Sequence, residues 1–338
     1  MLNVGVIGLG SMGMTHLDAY SRLPDVRVVA VADQKFATPG ATVGRAGNIA
    51  GQSSGGFDLD SVKKYVEAIE LINDPEVQAV DICAPTSSHK ELALLAIKAG
   101  KSVFVEKPLA RTSTDAREIA EAAAKAGVVL MPAHCMRFWP GWDWLKAAMN
   151  DKRFGAVQSA SFVRLGSKPP TPFYNDGVAS GGSHLDLHIH DTDFVLFLFG
   201  MPDAVTSFGR IGESGAVEHT VTRYHFGDTD ALVTSEGAWT RDAEKRPFEM
   251  RYTVVFERAT VVYNLGADPV MRVYQADKEP EAVLLSSDLG YALEVAEFAR
   301  CAAARQNSPV VNGIDGYRAL EIIEAELRSI ETGQTFYL

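Results

Sequence analysis

MLNVGVIGLGSMGMTHLDAYSRLPDVRVVAVAD, residues 1–33, is the stretch on which the fold turns. NVGVIG (3–8) is a short β-rich run, SMGMTHLDAYSRL (11–23) has helical spacing, and VRVVAVAD (26–33) is strand-like again. At the first strand–helix junction stands Gly8-Leu9-Gly10-Ser11-Met12-Gly13, a GxGxxG pattern. The first glycine permits a tight turn, and the second lets backbone N–H groups approach a pyrophosphate. The third lets the helix pack close to the strand, its N-terminus facing the anion. Asp33 follows Gly13 by twenty residues, at the end of the second strand, where a carboxylate accepts hydrogen bonds from ribose hydroxyls. Gly8, Gly10, Ser11, Met12, Gly13 and Asp33 are therefore candidate cofactor contacts. The same carboxylate repels a 2′-phosphate, which favours NAD over NADP unless Lys35 or Arg45 offsets it.

The alternation continues outward from this unit. DLDSVKKYVEAIELIND (58–74) is expected to be helical, AVDICAP (79–85) a strand and SHKELALLAIKAG (88–100) a helix. SVFVEK (102–107), STDAREIAEAAAKAG (113–127) and VVLMPA (128–133) repeat the pattern. Short apolar strands between amphipathic helices predict a doubly wound parallel sheet, a Rossmann domain over residues 1–134. Residues 37–57 interrupt the rhythm with six glycines and read either as plain surface disorder or as a flexible insertion near the cofactor.

After residue 134 the grammar changes. Helices are expected over 139–151 and 180–200, and several strand-like runs follow one another at hairpin spacing. With two terminal helices, near 291–306 and 314–332, residues 135–338 are expected to form an α+β domain around a large, mainly antiparallel open sheet. In HTVTRYHF, Val221 and Tyr224 point to opposite faces. A sheet apolar on both faces is suited to a subunit interface.

The chain has 338 residues, 46% hydrophobic and 22% charged, with a net charge of −11. That composition fits two globular domains and opposes binding to nucleic acid or an anionic membrane surface. No apolar run is long enough to span a bilayer. Cys83, Cys135 and Cys301 lack metal or redox spacing, so they are expected reduced, in a cytoplasmic protein.

Two further constellations carry chemistry. Glu106-Lys107-Pro108 closes a strand at the carboxyl edge of the sheet, where ligands bind; Lys107 is placed to stabilise an alkoxide, and Pro108 is a candidate for the cis form. In SGGSHLDLHIHDTD (180–193), Asp186, His190 and Asp193 fall on one helical face. A carboxylate one turn from an imidazole suits a general base. His184 and His188 have ligand spacing on a second face continued by Asp191, but HExxH and cysteine ligands are absent, so no metal is expected.

With AGK-x-V-x-x-EKP (99–108), GG-x(3)-D-x(3)-H (181–190) and the GxGxxG strand in order, the chain resembles the Gfo/Idh/MocA family over nearly its whole length. The resemblance implies a nicotinamide cofactor, hydride transfer at a sugar or polyol carbon, and a homodimer or homotetramer built through the second domain's sheet. It implies catalytic roles for Lys107, Asp186 and His190, and cofactor contacts at Pro85, Thr86, His89, Glu106 and Lys107. His134, Arg137, His188 and Asp193 become candidate substrate contacts, His188 standing where many members carry glycine. Two other readings stay open: an NAD-dependent glycoside-cleaving enzyme using transient oxidation, and a non-catalytic NAD(P)-binding sensor or regulator.

Overall fold

The computed structural model describes residues 1–38, 42–44, 56–241 and 245–338; most of the glycine-rich insertion, Arg45 included, lies outside them. The chain forms two compact units. One holds residues 1–138 and 288–317, the other 139–287 and 318–338.

In the first unit, β1 (Leu2–Ile7), β2 (Val26–Ala32), β3 (Lys63–Tyr65), β4 (Ala79–Ile82), β5 (Ser102–Glu106) and β6 (Leu130–Ala133) form one sheet in the order β3-β2-β1-β4-β5-β6. Every pairing is parallel. The crossovers run through α1 (Ser11–Ser21), α2 (Ala68–Asn73), α3 (Thr86–Lys98) and α4 (Ser113–Ala126). Strands buried along their length, as the four residues of β4 are, need no polar alternation. The doubly wound expectation is met.

The expected helix over 58–74 divides. Residues 63–65 pair with β2 as an edge strand, leaving a 3-10 turn at Leu59–Ser61 and an α-helix at Ala68–Asn73. Pairing at the open edge overrides helical propensity there, and Asp74 pins the strand through Lys63 Nζ (2.8 Å) and the Tyr65 hydroxyl (2.9 Å).

In the second unit, α5 (Trp142–Asn150) precedes β7 (Val157–Ser167). The turns α6 (Pro172–Asn175) and α7 (Gly177–Ser180) lead to α8 (Ile189–Phe199). There follow β8 (Ala204–Ile211), β9 (Val217–His225), β10 (Leu232–Thr240), β11 (Glu249–Phe256), β12 (Thr260–Asn264), β13 (Met271–Tyr274) and β14 (Glu281–Ala282). With the terminal β15 (Phe336–Tyr337) they make a nine-stranded sheet, order β14-β13-β12-β11-β7-β10-β9-β8-β15. Only β7 and β10 pair in parallel. One face is closed by aromatic packing around Trp142, which meets Phe162, Phe194, Tyr252 and Tyr263. On the other, Phe208 pairs with Val221 and both side chains are exposed, while Tyr224 is buried, as the alternation predicts.

Two helices complete the chain, α9 (Gly290–Ala304) and α10 (Gly313–Thr332). α9 belongs to the first unit, where it packs on α1 and its Phe298 stacks on Phe104 at 4.9 Å. An apolar stripe reveals that a helix must be covered, not by which partner. The described helices include none long and apolar enough to cross a membrane.

Candidate active site

The turn after β1 has the geometry its glycines require. Gly8 lies at φ +87°, and a Cβ on Gly13 would stand 2.0 Å from the Gly8 carbonyl oxygen, so helix and strand approach only because Gly13 has no side chain. A Cβ on Gly10 would meet nothing, leaving open space at the α1 N-terminus. Asp33 reaches this turn. Its Oδ2 accepts the Leu9 N–H at 2.7 Å and its Oδ1 the Lys35 N–H at 2.9 Å, so one carboxylate links the end of β2 to the phosphate-binding turn. Open space at a helix N-terminus with a carboxylate beside it fits a dinucleotide. Lys35 is exposed and its ammonium lies 3.4 Å from the Thr42 carbonyl.

Pro85 and Thr86 open α3 and are accessible. His89 is not. It is buried, with Nδ1 2.8 Å from the Pro108 carbonyl and Nε2 2.8 Å from the Ala84 carbonyl. Expected as a cofactor contact, it instead ties together the two loops that follow β4 and β5. Burial lowers its pKa against the pull of the two carbonyls, and a neutral ring donates to only one of them at a time. Glu106 is likewise turned inward, its Oε2 accepting the Lys107 N–H at 3.0 Å. The Lys107–Pro108 peptide is cis. Along residues 103–110 every side chain is buried except that of Lys107.

The expected continuous helix over 180–200 is interrupted. Gly181 and Gly182 both adopt positive φ, His184–His188 winds as a π-turn, and α8 begins only at Ile189. The wider turn brings the His184 and His188 rings into a stack at 5.5 Å, facing the interior of the unit. His184 donates from Nε2 to the Ile323 carbonyl and accepts from Thr220, each at 3.0 Å; burial lowers its pKa, consistent with that neutral tautomer. His188 faces Glu326 (Nε2 to Oε2, 3.2 Å). Burial raises the Glu326 pKa, but His188 outweighs it and holds the carboxyl below its usual range. Its Oε1 accepts from the hydroxyls of Tyr224 (2.8 Å) and Thr192 (3.1 Å).

His188 therefore packs inward against Glu326. Arg137 behaves alike, its Nη1 donating to the Val310 carbonyl at 2.7 Å beside Asp315. His134 and Asp193 are also buried, so Asp193 does not extend an accessible Asp186–His190 face. Of residues 182–196, only Asp186 and His190 keep partial exposure.

Sequence reasoning missed the group around Asp186. Trp239 of β10 donates from Nε1 to Asp186 Oδ2 at 3.3 Å. Tyr174 meets the same indole edge-on at 5.5 Å, and the Lys168 ammonium stands 5.7 Å from its ring centre. Nothing in local spacing links residues 53 apart on a helix and a strand; the aromatic and lysine of KPPTPFYNDG were the available signal. Trp239→Phe keeps the ring and removes the donor. It is expected to lower kcat/KM by about tenfold, the low end for a bond to a charged group at this length, with the melting temperature little changed. Steady-state kinetics beside a thermal melt check this.

The comparisons with known proteins bear on this geometry. A family model described as "Oxidoreductase family, NAD-binding Rossmann fold" matches residues 2–134, and one described as "GFO/IDH/MocA C-terminal domain" matches residues 142–262. The chain belongs to the GFO/IDH/MocA family of oxidoreductases. It is an enzyme, an NAD(P)-dependent dehydrogenase acting on CH–OH groups. Among its relatives is a myo-inositol 2-dehydrogenase of Thermotoga maritima, 30% identical over 233 residues, 67% of this chain and 65% of that protein. A scyllo-inositol 2-dehydrogenase (NAD(+)) of Bacillus subtilis is 27% identical and is matched over 95% of its length, by 98% of this chain. A solved levoglucosan dehydrogenase, in complex with NADH and L-sorbose, superposes with a TM-score of 0.83 at 21% identity. That likeness covers 99% of this chain and 98% of the other, and it is one of fold.

Proposed function

We propose that this GFO/IDH/MocA oxidoreductase reversibly oxidises a secondary hydroxyl of a sugar, sugar acid or cyclitol, with NAD as the favoured cofactor. One observation carries the reading. In two otherwise buried runs, 103–110 and 182–196, the residues left accessible are Lys107, Asp186 and His190. Burying such polar side chains is the default only when they are paired, and keeping these three at the surface of closely packed segments leaves their chemistry available.

In this reading His190 accepts the hydroxyl proton, and Asp186 orients the imidazole or binds a neighbouring hydroxyl. Lys107 donates to the reacting oxygen and stabilises its developing negative charge. The nicotinamide, when bound, supplies the hydride acceptor. Gly8, Gly10, Ser11, Met12 and Gly13 receive the pyrophosphate, with Pro85 and Thr86 beside it. Asp33 takes the ribose hydroxyls and disfavours a 2′-phosphate. The relatives named for inositol support a polyol substrate. The apolar sheet face carrying Phe208, Val221 and Leu232 supports a homo-oligomer.

A panel of cyclitols, aldoses and sugar acids, incubated with NAD or NADP and followed by absorbance of the reduced cofactor, tests this. Net NADH is expected with at least one polyol, and a kcat/KM at least about tenfold higher with NAD than with NADP, the cost of one like-charge contact. Glycoside cleavage without net NADH would assign the glycoside-cleaving chemistry instead. Cofactor binding without turnover across the panel would overturn the polyol reading.

A further inference from the structure

Beneath the phosphate-binding turn lies a group of ionisable side chains that the proposed reaction does not use. His16, on α1 three residues beyond Gly13, is fully buried. Its Nδ1 is 2.9 Å from Asp81 Oδ2 on β4, and its Nε2 is 3.4 Å from Glu106 Oε1 on β5. The Cys83 sulfur lies 3.3 Å from both His16 Nδ1 and Asp81 Oδ1. The imidazole stacks on Phe104 at 5.2 Å. From α9, Glu294 enters the same interior fully buried.

Nδ1 stands at hydrogen-bond distance from Asp81, while Nε2 makes no hydrogen bond among the described residues and faces Glu106 at an ion-pair separation; a carboxylate beside each nitrogen favours the doubly protonated ring. Burial works against that cation, but Asp81 outweighs it and holds the His16 pKa well above the ordinary imidazole value. Burial raises the Glu106 pKa, and His16 followed by Lys107 outweighs it, leaving it lowered. Burial pushes Glu294 well up, towards the neutral acid, and pushes the Cys83 thiol up as well. The His16–Asp81 separation favours a shared proton over a metal. Ligand atoms bound at about 2.0–2.3 Å to a tetrahedral zinc stand roughly 3.3–3.8 Å apart. His16 and Asp81 are closer than that, at hydrogen-bond distance.

The consequence follows from the second oxygen of Glu106, which accepts the Lys107 N–H. We propose that His16 is a positioning residue for Lys107: a buried cation shared by Asp81 and Glu106, it fixes the carboxylate that holds the Lys107 peptide, and so ties the helix opening at the glycine-rich turn to the lysine. The inference rests on the reading of Lys107 as the group that meets the substrate oxygen. Its physical basis is that removing one partner of a buried ion pair leaves the other uncompensated, so Glu106 must relax when His16 becomes neutral.

The test is a double-mutant cycle on the full-length enzyme, with the polyol found active in the panel. His16→Gln is expected to lower kcat about tenfold in the Lys107 enzyme and by less than about twofold in the Lys107→Ala background. The KM for cofactor should stay within about twofold. A merely structural role would cost the same factor in both backgrounds, and that result overturns the proposal, as does an unaltered kcat in the single variant. A readout independent of turnover uses reductively ¹³C-methylated protein without cofactor, the Lys107 resonance being assigned by its loss in Lys107→Arg. That resonance should shift or broaden in His16→Gln while the Lys146 resonance holds; an unmoved Lys107 signal overturns the link. If His16→Gln does not fold, Glu106→Gln carries the same cycle from the other end of the contact. Should Lys107→Ala itself leave kcat unchanged, it is the catalytic reading of Lys107 that fails, whatever the methyl resonance reports about His16.

Discussion

Lys107→Ala is expected to lower kcat at least about a hundredfold, with little change in the melting temperature or in cofactor affinity. The size follows from what the side chain is asked to do. An alkoxide developing in a water-poor site is stabilised by a fixed donor far more than in solution, and a lysine is both donor and charge. The fold supplies the fixing. The Lys107 peptide is held from one side by Glu106 and the next carbonyl, that of Pro108, is held by His89, so the side chain departs from a pinned root. Lys107→Arg keeps the charge in a planar fork of different reach, so it should recover only part of the loss. Steady-state kinetics on the substrate found in the panel, with cofactor affinity from fluorescence titration, separates the two effects. A loss under about fivefold for the alanine variant, at saturating polyol, would remove Lys107 from the chemistry.

The parts of this molecule that were legible in the sequence are those set by short-range rules. A tight turn, a close helix–strand approach and a carboxylate at the next strand end all lie within 33 residues, and each is dictated by backbone sterics or simple charge. Gly8, Gly13 and Asp33 accordingly stand where the pattern placed them. Period-3.6 reading does not reveal one extra residue in a turn, so the π-turn at His184–His188 was invisible, and with it the inward rotation of His188. The largest gap concerns polar pairs between distant segments. His16 with Asp81, Arg137 with Asp315 and Trp239 with Asp186 join segments far apart in the chain, and only the tertiary arrangement selects the partner. His16, Asp81, Asp315 and Trp239 went unremarked for that reason, and the partners of Asp186 and Arg137 could not be read from spacing.

A further pair of this kind, Asp191 with Arg164, stands next to His190. Asp191→Ala is expected to destabilise the second unit by about 3–5 kcal/mol, the usual cost of stranding one half of a buried ion pair. For a unit of this size that is a fall in its melting temperature of roughly 6–20 °C. Asp191 is fully buried on α8 and receives Arg164 of β7 at two points, Nε to Oδ2 at 2.8 Å and Nη2 to Oδ1 at 3.1 Å. The guanidinium carbon also stands 5.4 Å from the Trp142 ring, and Nη1 lies 3.1 Å from the Met250 sulfur. Removing the carboxylate strands the Arg164 cation in the centre of the aromatic core. Replacing both partners by apolar residues, Asp191→Leu with Arg164→Met, removes the stranded charge and should return most of the lost stability. Calorimetry of the two single variants and the double variant checks this, provided the two units are fitted as separate transitions. Equal destabilisation by the single and double variants would show that the loss lies in packing volume and not in charge. The functional corollary concerns α8, whose second residue is His190. Because the pair fastens the first turn of that helix to the sheet, Asp191→Ala should also lower kcat well below the optimum temperature of the unaltered protein, before any unfolding begins, and the double variant should restore it.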